Sequence, residues 1–202
     1  TQTPSNDAIT DWIHKKSQAQ YGTNVSKEDI FYYVYGFLHS PEYRTTFEND
    51  LKKSLPRLPL VDSREDFWAF SRAGRTLGKI HVNYESVPPN AEVKVTGAES
   101  GNFRVQKMRF PKKGQKHTII YNSSIKLENI PAKAYEYVVN GKSAIEWIME
   151  RYQVKTDKKS GIKNDPNDWS EEVGNPSYIL DLLLSVIEVS VRTVDIVGGL
   201  PK

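Results

Sequence analysis

The 202 residues, 38% hydrophobic and 26% charged, have the length and composition of a folded globular protein able to bury about 70% of the surface its extended chain would expose. No run approaches the roughly 18 apolar residues of a membrane span, and no basic-then-apolar leader opens the sequence, which argues against a membrane or secreted protein. The lack of cysteine removes disulfides and thiolate chemistry and suits a reducing, cytoplasmic setting.

The first 25 residues are polar apart from "AITDWIHKKSQAQYG", a short helix read here as a linker from an upstream domain. Ordered structure is expected from Ser26. "SKEDIFYYVYGFLHS" offers Ser26 as N-cap, acids in the first turn, and Ile30, Val34, Phe37 and Leu38 at helical spacing. Ser40 and Pro41 open a second helix with Tyr43, Phe47 and Leu51 on one face, and the prolines of "LPRLPL" end it. A third helix begins at the Ser63/Asp66 pair and sets Phe67, Phe70, Leu77, Ile80 and Tyr84 along one stripe.

After "VPPN" the period changes to two. Val93 and Val95 alternate, a turn falls in "TGAESGN", and strand-like runs follow at 103–110, 117–121 and 135–139. Phe103 and Val105 are out of phase with Met108 and Phe110, so a bend is expected near Lys107. Ser143 and Glu146 start another helix, with Ile145, Ile148, Met149 and Tyr152 inward. "TDKKSGIKNDPND" reads as a flexible polar loop, and Asn175-Pro176 opens a strongly apolar last helix. The fold class is therefore α+β: helical over 26–85, β-rich over 91–140 and helical over 143–198, in one domain of residues 26–202.

Three stretches look like catalytic motifs. "YVVNGKSAIEWI" carries Gly-Lys-Ser, as a nucleotide-binding P-loop does. The earlier loop glycine is replaced by Glu136, and the stiff Val138 and Val139 stand where phosphate-wrapping residues should be. The residues read better as a strand, an Asn140-Gly141 turn and a helix capped by Ser143.

"NPSY" at 175–178 is like the amino-group-holding motif of adenine methyltransferases, but no glycine-rich cofactor loop accompanies it. Glu92 and Lys94, with Asp66 upstream, are the residue types of a metal-dependent nuclease, and a nuclease is one alternative function. The four histidines, at 14, 39, 81 and 117, lack the spacing of a zinc site, and no serine nucleophile elbow is present. No catalytic or metal-binding residue is assigned.

Charge is distributed unevenly. The net charge is +3, yet Ser100–Leu127 holds seven basic residues and no acid, so the rest of the chain is slightly acidic. Such asymmetry points to a polyanion partner. Arg104 and Arg109 have the bidentate chemistry that reads guanine, whereas Lys107, Lys112, Lys113 and Lys116 suit phosphates. Tyr121 lies among them. Lys142 and a second basic group containing Lys158 and Lys159 complete the candidate DNA-binding set.

Three long stretches, "SKEDIFYYVYGFLHSPEYR", "DFWAFSRAGRTLGKIHVNYE" and "IPAKAYEYVVNGKSAIEWIMERYQVKTDKKSGIKNDPNDW", closely resemble the C-terminal specificity domain of type ISP restriction-modification enzymes. The resemblance implies a target recognition domain that reads double-stranded DNA and has no catalytic residues. It also implies an upstream adenine methyltransferase, helicase-like ATPase and nuclease in the same polypeptide. S-adenosylmethionine, ATP and magnesium would then belong to those upstream parts, and no cofactor to this one. The other alternative is a structural docking domain whose last helix, Ile179 to Val197, packs on an upstream neighbour.

Overall fold

The computed structural model describes residues 8–47 and 58–202, so Leu51 and the first half of "LPRLPL" lie outside the described residues. The chain divides into two compact units, residues 1–82 with 195–202, and residues 83–194.

The first unit is helical. Helix α1 (Asp11–Tyr21) is capped by Thr10, so ordered structure begins well before Ser26. The reason is burial at its far end, where Tyr21 stacks on Phe67 at 4.2 Å between ring centroids. Ser26 caps α2 (Lys27–Phe37) with a reciprocal box to Asp29, and Ser40 caps α3 (Pro41–Thr46) with Pro41 in its first turn. Helix α4 spans Arg64–Val82.

Phe67, Phe70, Leu77 and Ile80 are buried on α4, as the stripe requires. Tyr84 is a correction: the helix ends at Val82, and Tyr84 starts a 3₁₀ turn with an exposed ring. The aromatic core of this unit gathers Tyr21, Tyr33, Phe37, Tyr43, Phe67 and Phe70, with Val197 and Leu200 of the C-terminal tail packed in. Helices from both ends of the chain thus share one core.

Two glycines let α2 and α4 cross closely. A methyl group at Gly74 would overlap the carbonyl oxygen of Tyr32, and one at Gly36 would overlap that of Phe70. Backbone-to-backbone approach of this kind admits no side chain.

The second unit is built on a small antiparallel sheet of β1 (Lys94–Thr96), β2 (Ile119–Ile120) and β3 (Lys126–Glu128), in the order β1-β3-β2. Leu127 pairs with Val95 on one side and Ile119 on the other, which places three apolar side chains on one face. A hairpin of β4 (Val138–Val139) and β5 (Lys142–Ser143) leads into α5 (Ala144–Arg151). Residues 132–135 form a 3₁₀ turn, so strand starts only at Val138.

Val105, Met108, Ile119, Tyr121, Ile125, Leu127 and Ile145 form the core with Ile179, Leu183 and Ile187 of the last helix, α7 (Tyr178–Gly198). Twelve residues of α7 are buried within this chain, so the apolar surface assigned to an upstream docking partner is already covered here.

Three further readings are corrected. Residues 153–166 are not a free loop. Strands β6 (Lys155–Thr156) and β7 (Lys163–Asn164) form a hairpin, followed by the short helix α6 (Asn167–Glu172). Asp157 holds the tip together by accepting from Lys159 N at 3.0 Å and Ser160 N at 2.7 Å.

The start of α7 also lies later than Asn175-Pro176. Asn175 Oδ1 accepts from Ser177 N at 3.1 Å, and the first helical bond runs from Asp181 N to Ser177 O at 2.9 Å. Ser177 is therefore the cap, because the Asn175 side chain is used in a turn before it. Finally, 103–110 is an irregular segment with a bend rather than a strand, and its only ladder contact is the Arg109–Ile120 bridge.

Candidate nucleic-acid interface

The irregular segment 103–110 is held mainly by side chains. The Tyr121 hydroxyl donates to Phe103 O at 2.8 Å, and Asn122 Nδ2 donates to Asn102 O at 2.8 Å and Arg104 O at 3.0 Å. The buried amide of Asn167 accepts from Val105 N at 2.8 Å and donates to Val105 O at 2.8 Å. Val154 N donates to Gln106 O at 2.9 Å.

All the carbonyls from Asn102 to Gln106 therefore have a partner, and Arg109 exchanges both backbone bonds with Ile120, at 3.1 and 2.8 Å. The expected bend falls at Gln106, which returns Met108 to the same core as Val105, at 3% and 0% exposure. Gln106, Lys107 and Arg109 project outward from this fixed backbone.

The basic hairpin is tied to the same segment at both feet. Val154, just before β6, bonds Gln106, and Asp165, just after β7, accepts from Arg104 Nη2 at 3.1 Å. Asn167, two residues further on, clamps Val105. The second basic group is thereby anchored beside the first, although at least 42 residues separate Lys116 from Lys158 in the sequence.

The predicted contact residues fall into three groups. Tyr121 is 0% exposed; burial raises its hydroxyl pKa above the usual tyrosine range, and the neutral group serves as a donor inside the core. Three cations are already paired. Arg104 bonds Asp165 and Glu171. Lys116 meets Glu146 at 2.9 Å and lies over the rings of Phe110 and Tyr135. Lys142 meets Glu150 and lies over Trp147. The remaining six, Lys107, Arg109, Lys112, Lys113, Lys158 and Lys159, are exposed, with no side-chain partner among the described residues.

The acids reflect this pairing. Burial raises the pKa of Glu146, but hydrogen bonds from Ser143 and Lys116 outweigh it and hold the carboxyl below its usual range. Burial likewise opposes ionisation of Asp165, and bonds from Asn167 and Lys163 reverse the balance. These carboxylates stay ionised at neutral pH and cancel the cations they touch.

Around the held segment lies a depression of ≈ 470 Å³ lined by Asn102, Arg104, Gln106, Lys107, Arg109 and Asn122 among others. Its residue types are those that bond base edges in the DNA major groove. Not all are available. Asn122 spends its amide on Asn102 and Arg104 and its oxygen on Ser124 N and Ile125 N, at 2.8 and 2.7 Å. Gln106 was not singled out by the charge reading because it carries no charge; its position in a run without acids was the available signal.

The Gly-Lys-Ser stretch takes the shape of a hairpin turn. Asn140 and Gly141 both have positive φ, 49° and 83°, which is the backbone of a two-residue turn matched to strand twist. Ser143 then accepts from Glu146 N at 3.2 Å as the cap of α5. Of the nuclease candidates, Asp66 belongs to the first unit, in the first turn of α4, and Glu92 and Lys94 belong to the second. Among the described residues no group of three or more His, Cys, Asp or Glu side chains is placed to hold a metal ion. No helix among them is long and apolar enough to cross a membrane.

Comparison with known proteins places this site in a family. No curated protein matches the chain. Among solved structures, a nuclease-deletion mutant of the type ISP restriction-modification enzyme LlaGI, in complex with a DNA substrate mimic, is 53% identical over 89% of this chain, with a TM-score of 0.80. The ATP-dependent type ISP enzyme LlaBIII, bound to DNA, is 49% identical over 96% of it, with a TM-score of 0.85. A DrdV–DNA complex is 32% identical over 96%, with a TM-score of 0.78.

The chain spans only 14%, 12% and 20% of those three proteins. The sequence model described as the type ISP C-terminal specificity domain matches residues 1–182, and with it the chain is shown to belong to the type ISP C-terminal specificity domain family.

Proposed function

We propose that this chain is the double-stranded DNA recognition module of a longer restriction-modification polypeptide. In that polypeptide it positions an upstream adenine methyltransferase and ATP-dependent restriction machinery on a target site. S-adenosylmethionine, ATP and magnesium serve those upstream parts, and the module itself performs no chemistry.

The observation that carries this reading is the grouping of exposed, unpaired cations on and beside one immobilised segment. Lys107, Arg109, Lys112 and Lys113 come from the first basic run, and Lys158 and Lys159 from a hairpin anchored to it. Unpaired surface cations attract a polyanion far more strongly than cations already neutralised by carboxylates. The relatives LlaGI, LlaBIII and DrdV were all solved with DNA or a mimic of it, which supports DNA as the polyanion.

Titration of a labelled duplex at several salt concentrations tests the proposal. If Lys107, Lys112, Lys113, Lys158 and Lys159 each neutralise one phosphate, log affinity falls against log salt with a slope of about −4.5, from about −0.9 per phosphate. Binding that does not respond to salt, or no binding by either this chain or the parent polypeptide, would reject it.

A further inference from the structure

We propose that Gln106 and Arg109 are base-reading residues, Gln106 for an adenine and Arg109 for a guanine at a neighbouring position. The inference rests on the DNA-recognition reading and specifies which side chains supply its sequence preference. It assigns base reading within a site that charge alone could describe only as basic.

Three observations converge on these two residues. The backbone that carries them is held independently of any ligand, since the carbonyls of Asn102 through Gln106 all accept hydrogen bonds and Arg109 is bridged to Ile120. A side chain presented from a fixed backbone loses less freedom on binding, and its geometry can distinguish one base from another.

Both side chains are exposed on the ≈ 470 Å³ depression, and neither has a partner among the described residues. Their donors and acceptors are thus available. The other candidates around the depression are committed. Arg104 donates to Asp165 and Glu171, and all hydrogen-bonding positions of the Asn122 amide are used within the fold.

Chemistry then separates the roles. A glutamine amide can donate to adenine N7 and accept from its N6 amino group, whereas guanidinium donates twice, to guanine O6 and N7. Lys107, between them, has three equivalent donors and no planar fork, so it takes a phosphate. Gln106 and Arg109 are three residues apart on one bent, hydrogen-bonded segment, which places their bases in the same short stretch of the duplex.

The test is selection of duplexes from a random-sequence library by the chain, followed by sequencing of the enriched pool. Wild type enriches a motif containing an adenine and a guanine in that short stretch. Gln106→Ala flattens the adenine preference alone and Arg109→Ala the guanine preference alone, each by roughly tenfold or more in discrimination.

Gln106→Glu moves the adenine preference toward cytosine, because a carboxylate only accepts hydrogen bonds. Lys107→Ala weakens binding and leaves every base preference intact. A motif unchanged in both the Gln106 and Arg109 variants overturns this inference while leaving the DNA-recognition reading in place. Failure to enrich any motif by wild type, both as this chain and within the parent polypeptide, overturns both.

Discussion

Asn167 stands in for a missing β-strand beside Val105. Its side-chain amide, 2% exposed, accepts from Val105 N and donates to Val105 O, both at 2.8 Å, and so completes two backbone bonds that a neighbouring strand would ordinarily supply. Asn167→Ala would leave both Val105 groups unpaired in a site with no exposure. We expect a loss of about 2–6 kcal/mol, at 1–3 kcal/mol for each of the two buried groups left without a partner. Chemical denaturation measures the loss, and a change under 1 kcal/mol would show that the clamp is not needed.

Paired and unpaired lysines should separate in a salt titration. Lys158→Ala/Lys159→Ala is expected to reduce the magnitude of the log–log slope by about 1.8, two phosphates' worth. Lys116→Ala and Lys142→Ala should leave the slope unchanged, since Glu146 and Glu150 already neutralise those charges. A slope that falls equally in all of these variants would mean that the carboxylates release their lysines to DNA.

Close packing of α2 on α4 predicts a large effect from one methyl group. Gly74→Ala puts that group against the Tyr32 carbonyl, and the backbone cannot retreat as a flexible side chain would. A destabilisation of about 3 kcal/mol or more is expected, the upper end of the usual cost of overpacking. Gly114→Ala is a contrasting case, because nothing lies within 4 Å of the added atom. Its cost should be confined to backbone strain at φ 84°, about 1–2 kcal/mol. Melting of the two variants compares them.

His81 should make the first unit sensitive to mild acid. Its Nδ1 lies 2.7 Å from the Tyr35 hydroxyl, and burial, with a smaller contribution from the neighbouring His39, lowers its pKa to about 4. The unfolded chain takes up a proton near the ordinary value of 6.5, while the folded chain resists it to about 4.

Stability from this residue is therefore complete above pH 6.5 and is lost as pH falls through the interval down to about 4. The loss is on the order of 1–2 kcal/mol after allowance for partial exposure. His81→Leu should flatten that part of the stability profile. An unchanged slope from pH 6.5 to 4 in this variant would assign the acid sensitivity elsewhere.

Caps, turns and the division of charge along the chain follow from short-range interactions, and they were legible in the residues themselves. Ser26, Ser40 and Ser143 cap the helices they precede, and Asn140-Gly141 turns the hairpin. Each involves partners within a few residues, so neighbouring sequence suffices to specify it. Even the bend in 103–110 showed as a slip in apolar phase. The α7 cap was placed too early because Asn175 and Ser177 offer competing side-chain acceptors only two positions apart.

Availability of the charged groups could not be read in the same way. Composition counts seven basic residues between Ser100 and Leu127, but it does not show which of them meet an acid. Arg104 finds Asp165 and Glu171, 61 and 67 residues away, and Lys116 finds Glu146 after 30. Those pairings exist only once the chain has folded. The sequence alone determined that this domain carries a local excess of positive charge; tertiary structure decided which charges remain unpaired, because Coulombic neutralisation depends on distance in space rather than separation along the chain.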